Sequence, residues 1–518
     1  MKYNWDGILT KAAYLYLTLP FLIFCLGWLN LLSSIAFSSI TLISIYFCLK
    51  NIKVDIDINQ LLYKNRKSII FSGFAILLII FFSGIGHYTF QNADHLYRGA
   101  LFADLVKYDW PVLYQVKGFP GHAFEGKTTM MTYYLGYYLP SAAVGKLFGL
   151  ETARFALFLW TFLGTILVVF QIGKYLKRFN YKILLLFFGW GTLFFVGALY
   201  KYPFMGIFTD SENNYLWAGM ILYADSNLGL IYWTFNQSLT AWLIILLLFN
   251  SGSTKNAVYL YSLCFFLSPF AFLGLLPFMF FYFWKNFEGK FETLKDWFGN
   301  VKNYLSFQNI LGAGLVFALI YLYLDSNKAA KFFQVLTHSP KKFIVFILLS
   351  WGIIALLILN KNKKNPLFWL IVIVLIPLPF FQQGYGIDFP GRLSIPALFF
   401  LMLLTGKYLI DEKNIIRRYL VLAYLGLSAA GHGFFEIGKS IIYTSAENIS
   451  HKTTIDDQLL ATQNPNLHRV GKVLKDIEGK DILIQDHKTI VNPNNNVIWN
   501  YMADIEESRF YRWFARKP

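Results

Sequence analysis

Residues 91–98 read QNADHLYR, which puts an acid, a histidine and an arginine within five positions of one another, close behind an apolar run. If the segment is helical, Asp94 and Arg98 stand one turn apart, the i and i+4 spacing at which an arginine holds and orients a carboxylate. A carboxylate held in that way could act as a general base on an acceptor hydroxyl. An ordinary exposed ion pair has the same spacing and is worth only a few tenths of a kcal/mol, so the spacing leaves both readings open. His87 and His95 flank the acid, and a lone loop histidine is more often a plain hydrogen-bonding residue than a ligand. Farther along, Asp210-Ser211-Glu212 brings two carboxylates together. With Asp94 they could hold a hard divalent cation such as magnesium or manganese through oxygen ligands, or they could simply be solvated. Arg392, in Asp388-Phe389-Pro390-Gly391-Arg392, sits at one end of an apolar run, where a guanidinium could fork onto a lipid phosphate or merely snorkel to the interface. Asn236 and Gln237 open another apolar run and could bind sugar hydroxyls or cap the helix.

The elements that must position these residues follow from composition. Of 518 residues, 56% are hydrophobic and only 14% charged, with 53 Phe, 33 Tyr and 14 Trp. Mean hydropathy is +0.47. A soluble core of this size cannot hide so many aromatic side chains, and a soluble chain has about a quarter of its residues charged. The composition is that of an integral membrane protein, in which most Trp and Tyr sit at the membrane interface or in the core. The formal charge of +17 comes in short clusters between apolar runs, which is the pattern of loops on one membrane face and argues against nucleic acid as the partner. Cys25, Cys48 and Cys264 lie inside apolar segments with no metal or redox spacing, so no disulfide is expected.

A spanning helix needs about 20 mostly apolar residues, and on that measure about 13 candidate spans are expected. They begin near residues 12, 33, 69, 153, 183, 235, 257, 270, 308, 343, 366, 394 and 418. The first two form a hairpin, and no cleaved signal peptide is expected because Leu31 to Ser34 lead straight into a second apolar run. Basic clusters at 50–67, 174–182, 285–302, 361–364 and 413–418 fall on one side of this path, which predicts a cytoplasmic N-terminus and an outer C-terminal tail. Lys328, Lys331, Lys341 and Lys342 fall on the other side, as an exception. Residues 129–148 are expected to lie as an interfacial helix with Tyr133, Tyr134, Tyr137 and Tyr138 at headgroup level. The run 257–284 is expected to break at Ser268 and Pro269 into two short helices. The expected architecture is therefore an all-α polytopic membrane protein. A hairpin and cytoplasmic loop (1–68) precede a transmembrane domain (69–435) with long outer loops at 89–152 and 201–234. A small extracytoplasmic α/β subdomain (436–518) follows, with a strand-like stretch from Ile482 to Gln485.

The phrase DHLYRGALFADL, then Lys127 ahead of an interfacial helix, then KLFGLETARFALFLWTFLGTILVVFQIGKYLKRF from Lys146 to Phe179, resembles the start of the GT-C glycosyltransferases. That group of integral membrane enzymes includes protein mannosyltransferases, lipid A aminoarabinose transferases and oligosaccharyltransferases. In them an acid opens the first outer loop, juxtamembrane helices follow, and a phrase like LFG with a nearby arginine precedes the next span. The likeness covers residues 69–300, including the hairpin broken at Ser268 and Pro269. It implies a sugar donor carried on a polyprenyl phosphate or diphosphate, and an acceptor (protein, lipid or glycan) reached from the outer face. By position Asp94 matches the first-loop acid and would be the base of an inverting transfer. Lys127 matches a basic residue before the juxtamembrane helix and would meet the donor phosphate, with Arg98 and Arg392 as further phosphate ligands. Asp210 and Glu212 fall in the loop where oligosaccharyltransferases carry a metal-binding acidic pair, here with Glu where Asp is common.

The competing expectations are a transporter or flippase of lipid-linked sugars, or a polysaccharide polymerase or ligase. A transporter should show internal halves and ionisable residues near the bilayer midplane. Here no repeat is visible and the polar candidates gather at span ends and loops. Richness in Lys, Asn, Ile, Phe and Tyr suggests an AT-rich bacterial genome, in which case the outer face is periplasmic and the membrane is the inner one.

Overall fold

The computed structural model describes residues 5–50, 52, 58–115, 124–193, 226–287, 301, 304–327, 333–383, 388–446, 474–475, 481–482 and 501–517. Among them, 8 helices are long and apolar enough to cross a membrane: Trp5–Trp28, Leu31–Lys50, Leu150–Leu176, Asn227–Ser251, Gln308–Asp325, Pro340–Asn362, Phe389–Asp411 and Ile415–Ser445. The chain is thus an α-helical, polytopic membrane protein. The other five expected spans coincide with helices that are shorter or less apolar: Arg66–Phe81, Lys182–Gly189, Ala257–Leu267, Pro269–Phe287 and Pro366–Leu375.

Burial sorts these helices into a centre and a rim. In Asn227–Ser251, 94% of the apolar window is buried, against 33% in Leu31–Lys50, whose remaining faces suit lipid. Phe389–Asp411, at 83%, packs beside the central helix, with Trp242 stacked on Phe399 at 5.6 Å and Phe249 edge-on to Phe400 at 4.7 Å. Pro269–Phe287 closes tightly onto the start of the second buried helix. A Cβ at Gly274 would stand 2.1 Å from the Leu393 carbonyl oxygen, so only glycine permits the approach that fixes Arg392 one residue earlier. Ala257–Leu267 and Pro269–Phe287 meet at Ser268, the break expected from the sequence.

One end of the bundle gathers the basic loops. Lys174 pairs with Asp6 at 2.9 Å, Lys361 lies 3.8 Å from Glu412, and Asn250 donates to Gln171. The opposite end carries a three-stranded antiparallel sheet, Leu113–Gln115 against Thr128–Met131 against Met502–Asp504, with Leu113 opposite Met130 and Thr129 opposite Asp504. Lys341 and Lys342 are exposed at the start of their helix, while Lys328 and Lys331 lie outside the described residues.

The stretch 129–148 departs from expectation. It is not one interfacial helix: its first residues belong to the strand Thr128–Met131, a 3-10 turn spans Leu135–Tyr138, and the helix begins only at Leu139. Nor are its tyrosines at a wet interface, because Tyr134, Tyr137 and Tyr138 are buried. Two of the hydroxyls find interior partners in place of water, while that of Tyr138 is buried without one among the described residues. Tyr137 donates to Thr161 at 2.9 Å, and Tyr134 accepts from Arg392.

The helix Ile415–Ser445 runs through residue 435, the expected domain boundary. Residues 501–517 pack directly on the membrane domain: Met502–Asp504 joins the sheet, Phe510 meets Phe24 and Tyr323, and Ala515 bridges to Leu29. Of the strand-like stretch 482–485 only Ile482 is described, in a two-residue strand Asp481–Ile482 paired with Leu474–Lys475.

Candidate functional site

The helix Ala93–Lys107 carries the candidate base. Asn92 caps it, its side-chain oxygen accepting from the His95 amide at 3.3 Å, and Asp94 in the first turn suits the positive end of the helix dipole. Ala100, Leu101 and Leu105, in the following turns of the same helix, anchor it in the core. Asp94 and Arg98 form the i, i+4 ion pair expected from the sequence, at 2.5 Å. The two partners differ in exposure: the Asp94 side chain is 37% exposed and that of Arg98 only 5%. A carboxylate open to approach is thus backed by a sequestered cation.

A break in the central helix provides the second element. Inside Asn227–Ser251, Thr234 has the non-helical angles φ −138° and ψ 37°. The Tyr232 and Trp233 carbonyls near this break serve the loop helix. Tyr232 accepts from His95 Nε2 at 2.7 Å and from Asn92 Nδ2 at 2.8 Å, and Trp233 accepts from Arg98 Nη1. Hydroxyls close the rest of the gap, with Thr234 donating to Leu230 at 3.3 Å and Ser238 to Thr234 at 3.2 Å. Burial, with Arg98 alongside, drives the His95 imidazole down to about 4, so it is neutral at physiological pH and donates from Nε2. Burial works against the Arg98 charge, but Asp94 and the neighbouring phenols of Tyr138, Tyr133 and Tyr134 outweigh it and hold the guanidinium above its ordinary value.

One of those tyrosines, Tyr134, also binds Arg392. The Tyr133 and Tyr134 rings lie 3.6 Å apart, and Arg392 Nη1 donates to Tyr134 Oη at 2.8 Å across 258 residues of sequence. With its amide oxygen turned toward them, Gln237 accepts from Arg392 Nη1 at 3.0 Å and from Tyr134 Oη at 3.1 Å. Tyr501 closes the group from the C-terminal segment, its ring edge-on to Tyr133 at 4.7 Å and its carbonyl accepting from the Thr132 amide at 2.7 Å. Burial raises the Tyr501 phenol well above its usual value, and Tyr134 adds to this, while Arg98 and Arg392 pull the other way.

Three of the expected site residues, Asp94, Arg98 and Arg392, therefore converge. Lys127 is engaged elsewhere: its ammonium meets Asp504 at 2.8 Å, bracing the first outer loop against the last strand. Asp210 and Glu212 lie outside the described residues. Among the described residues no group of three or more His, Cys, Asp or Glu is arranged to hold a metal. Gln237 binds the arginine, and Asn236 is buried.

Two members of the cluster carry no motif in the sequence. Tyr501 sits in a tail with no motif around it. Glu436 is buried in the π-helical turn Gly433–Gly438 and receives Trp233 Nε1 at 3.2 Å on both carboxylate oxygens. An acid inside an apolar helix is itself a signal, since such residues are costly and usually functional. No family model, curated protein or solved structure matches this chain, so the reading of the site rests on the geometry of its own residues.

Proposed function

We propose that the chain is a membrane glycosyltransferase that uses a sugar on a polyprenyl phosphate or diphosphate and acts at the end of the bundle carrying Asp94. The observation that carries the reading is a pair of buried guanidiniums, Arg392 bonded to Tyr134 and Arg98 within electrostatic reach of the same tyrosine, beside a half-open carboxylate. Each part suits a step of the transfer. Asp94 takes the proton from an acceptor hydroxyl, the acceptor oxygen attacks the anomeric carbon from the face opposite the lipid, and the bond from that carbon to the phosphate oxygen breaks. The phosphate leaves with the bonding electrons, and its charge is met by the arginines in a site largely closed to water. Inversion at the anomeric carbon follows from the single displacement. Gln237 and the tyrosines supply neutral donors and acceptors for sugar hydroxyls.

The outer face would be periplasmic in a bacterial inner membrane, with the basic loops in the cytoplasm. Asp210 and Glu212 are the candidate ligands for magnesium or manganese, which would add positive charge at the leaving phosphate. The test is saturable binding of polyprenyl-linked sugars to the purified protein in nanodiscs, with turnover measured on the same samples. Binding without turnover would move the reading to a transporter or flippase of lipid-linked sugars, and absence of binding to any such lipid would contradict both.

A further inference from the structure

At the end of the bundle opposite Asp94, a cavity of about 310 Å³ opens among the ends of six helices. Its rim carries Lys285, Lys361 and Lys407, and its wall is apolar at Leu404 and aromatic at Tyr175. Lysines at helix C-termini ordinarily serve the helix dipole, and Lys361 does so, donating to the Asp411 carbonyl. Lys407 does not. It lies a turn before its helix ends, and its ammonium stands 4.1 Å over the Tyr175 ring, a partner that attracts the charge without neutralising it. Among the described residues no carboxylate pairs with Lys407 or Lys285, and both side chains are exposed. Asp411 and Glu412 offset two of the three lysines, which leaves the rim with one net positive charge.

We propose that this cavity is an anion site that takes the phosphate of an anionic phospholipid, with the headgroup among the three lysines and the start of the acyl chain against Leu404. A cationic rim over an apolar wall, at the end of membrane-spanning helices, matches a ligand with a charged head and a hydrocarbon body. The inference is independent of the glycosyltransferase reading, because the cavity lies at the far ends of the helices that bear Gln237 and Arg392.

The test is native mass spectrometry of the purified full-length protein, titrated separately with phosphatidylglycerol, phosphatidylcholine and inorganic phosphate. Wild type should retain phosphatidylglycerol in preference to phosphatidylcholine. The Lys285→Gln/Lys407→Gln double variant should bind it about thirtyfold more weakly, while Lys341→Gln/Lys342→Gln at the opposite end matches wild type. Lys407→Arg should keep most of the affinity, which separates loss of charge from loss of fold. Variant-sensitive binding of inorganic phosphate without lipid retention would uphold the anion site and reassign its ligand to a soluble phosphate. Equal retention of phosphatidylglycerol by wild type and the double variant would overturn the proposal.

Discussion

Arg98 is shared between Asp94 and the Trp233 carbonyl, so the half-open carboxylate of the loop helix is fastened to the break in the central helix through one guanidinium. The candidate base is therefore fixed relative to the bundle core. Arg392 reaches the same group through Tyr134, from a helix whose position depends on the glycine contact at Leu393.

Arg392→Ala should weaken binding of the polyprenyl-linked donor by about thirtyfold or more, as truncating a buried charged partner does. Acceptor affinity should stay unchanged. Arg392→Lys should recover only part of the loss, because an ammonium cannot fork. Titration of donor in nanodiscs checks this, and an unchanged donor affinity in Arg392→Ala would remove the phosphate role.

His95 makes stability depend on pH. Its proton affinity in the folded protein, near 4, lies below the ordinary value of 6.5, so the unfolded chain binds the proton first as pH falls. Stability is fully present above pH 6.5, declines as pH drops toward 4, and the loss is on the order of 3 kcal/mol at the end of that window. His95→Gln can still donate to the Tyr232 carbonyl without titrating. Unfolding midpoints from pH 4 to 8 should show a flatter acid limb for the variant, and identical profiles would contradict the assignment.

Lys127→Met separates a brace from a phosphate ligand. The ion pair with Asp504 is the leading cause of a raised Lys127 proton affinity, yet the lysine itself is 40% exposed, so solvent screening keeps its worth to about 1 kcal/mol or less. The variant should lose a little thermal stability and keep its donor affinity within about threefold. A loss of donor affinity of about tenfold or more would instead return Lys127 to the phosphate.

Activity should vanish in chelator and return with magnesium or manganese if Asp210 and Glu212 hold a metal with Asp94. Full activity in chelator would rule the metal out.

The membrane class was legible because composition alone forces it, and the Asp94–Arg98 pair because an i, i+4 relation is local. The kink at Thr234 was not legible: no proline marks it, and the hydroxyls of Thr234 and Ser238 that satisfy it look like ordinary helix residues. Arg392 could be placed at a span end, but its meeting with Tyr134 depends on a long-range crossing of helices that hydropathy does not encode. The tyrosines of 133–138 were misplaced for a related reason. Their amphipathic rings suit a headgroup region and a polar interior equally, and only tertiary partners decide between them. Tyr501 was invisible because its role comes from the pairing of Met502–Asp504 with the outer-loop strand, across 373 residues of chain at Thr129 and Met502.

The general-base role of Asp94 is tested most directly by comparing wild type with Asp94→Asn in nanodiscs, with donor binding and single-turnover sugar transfer measured on the same preparations. Asparagine keeps an acceptor for Arg98 but cannot take a proton. Donor binding should stay within a few-fold of wild type while transfer slows by about a hundredfold to ten-thousandfold, the usual contribution of a general base. Transfer at the wild-type rate in Asp94→Asn would contradict that role.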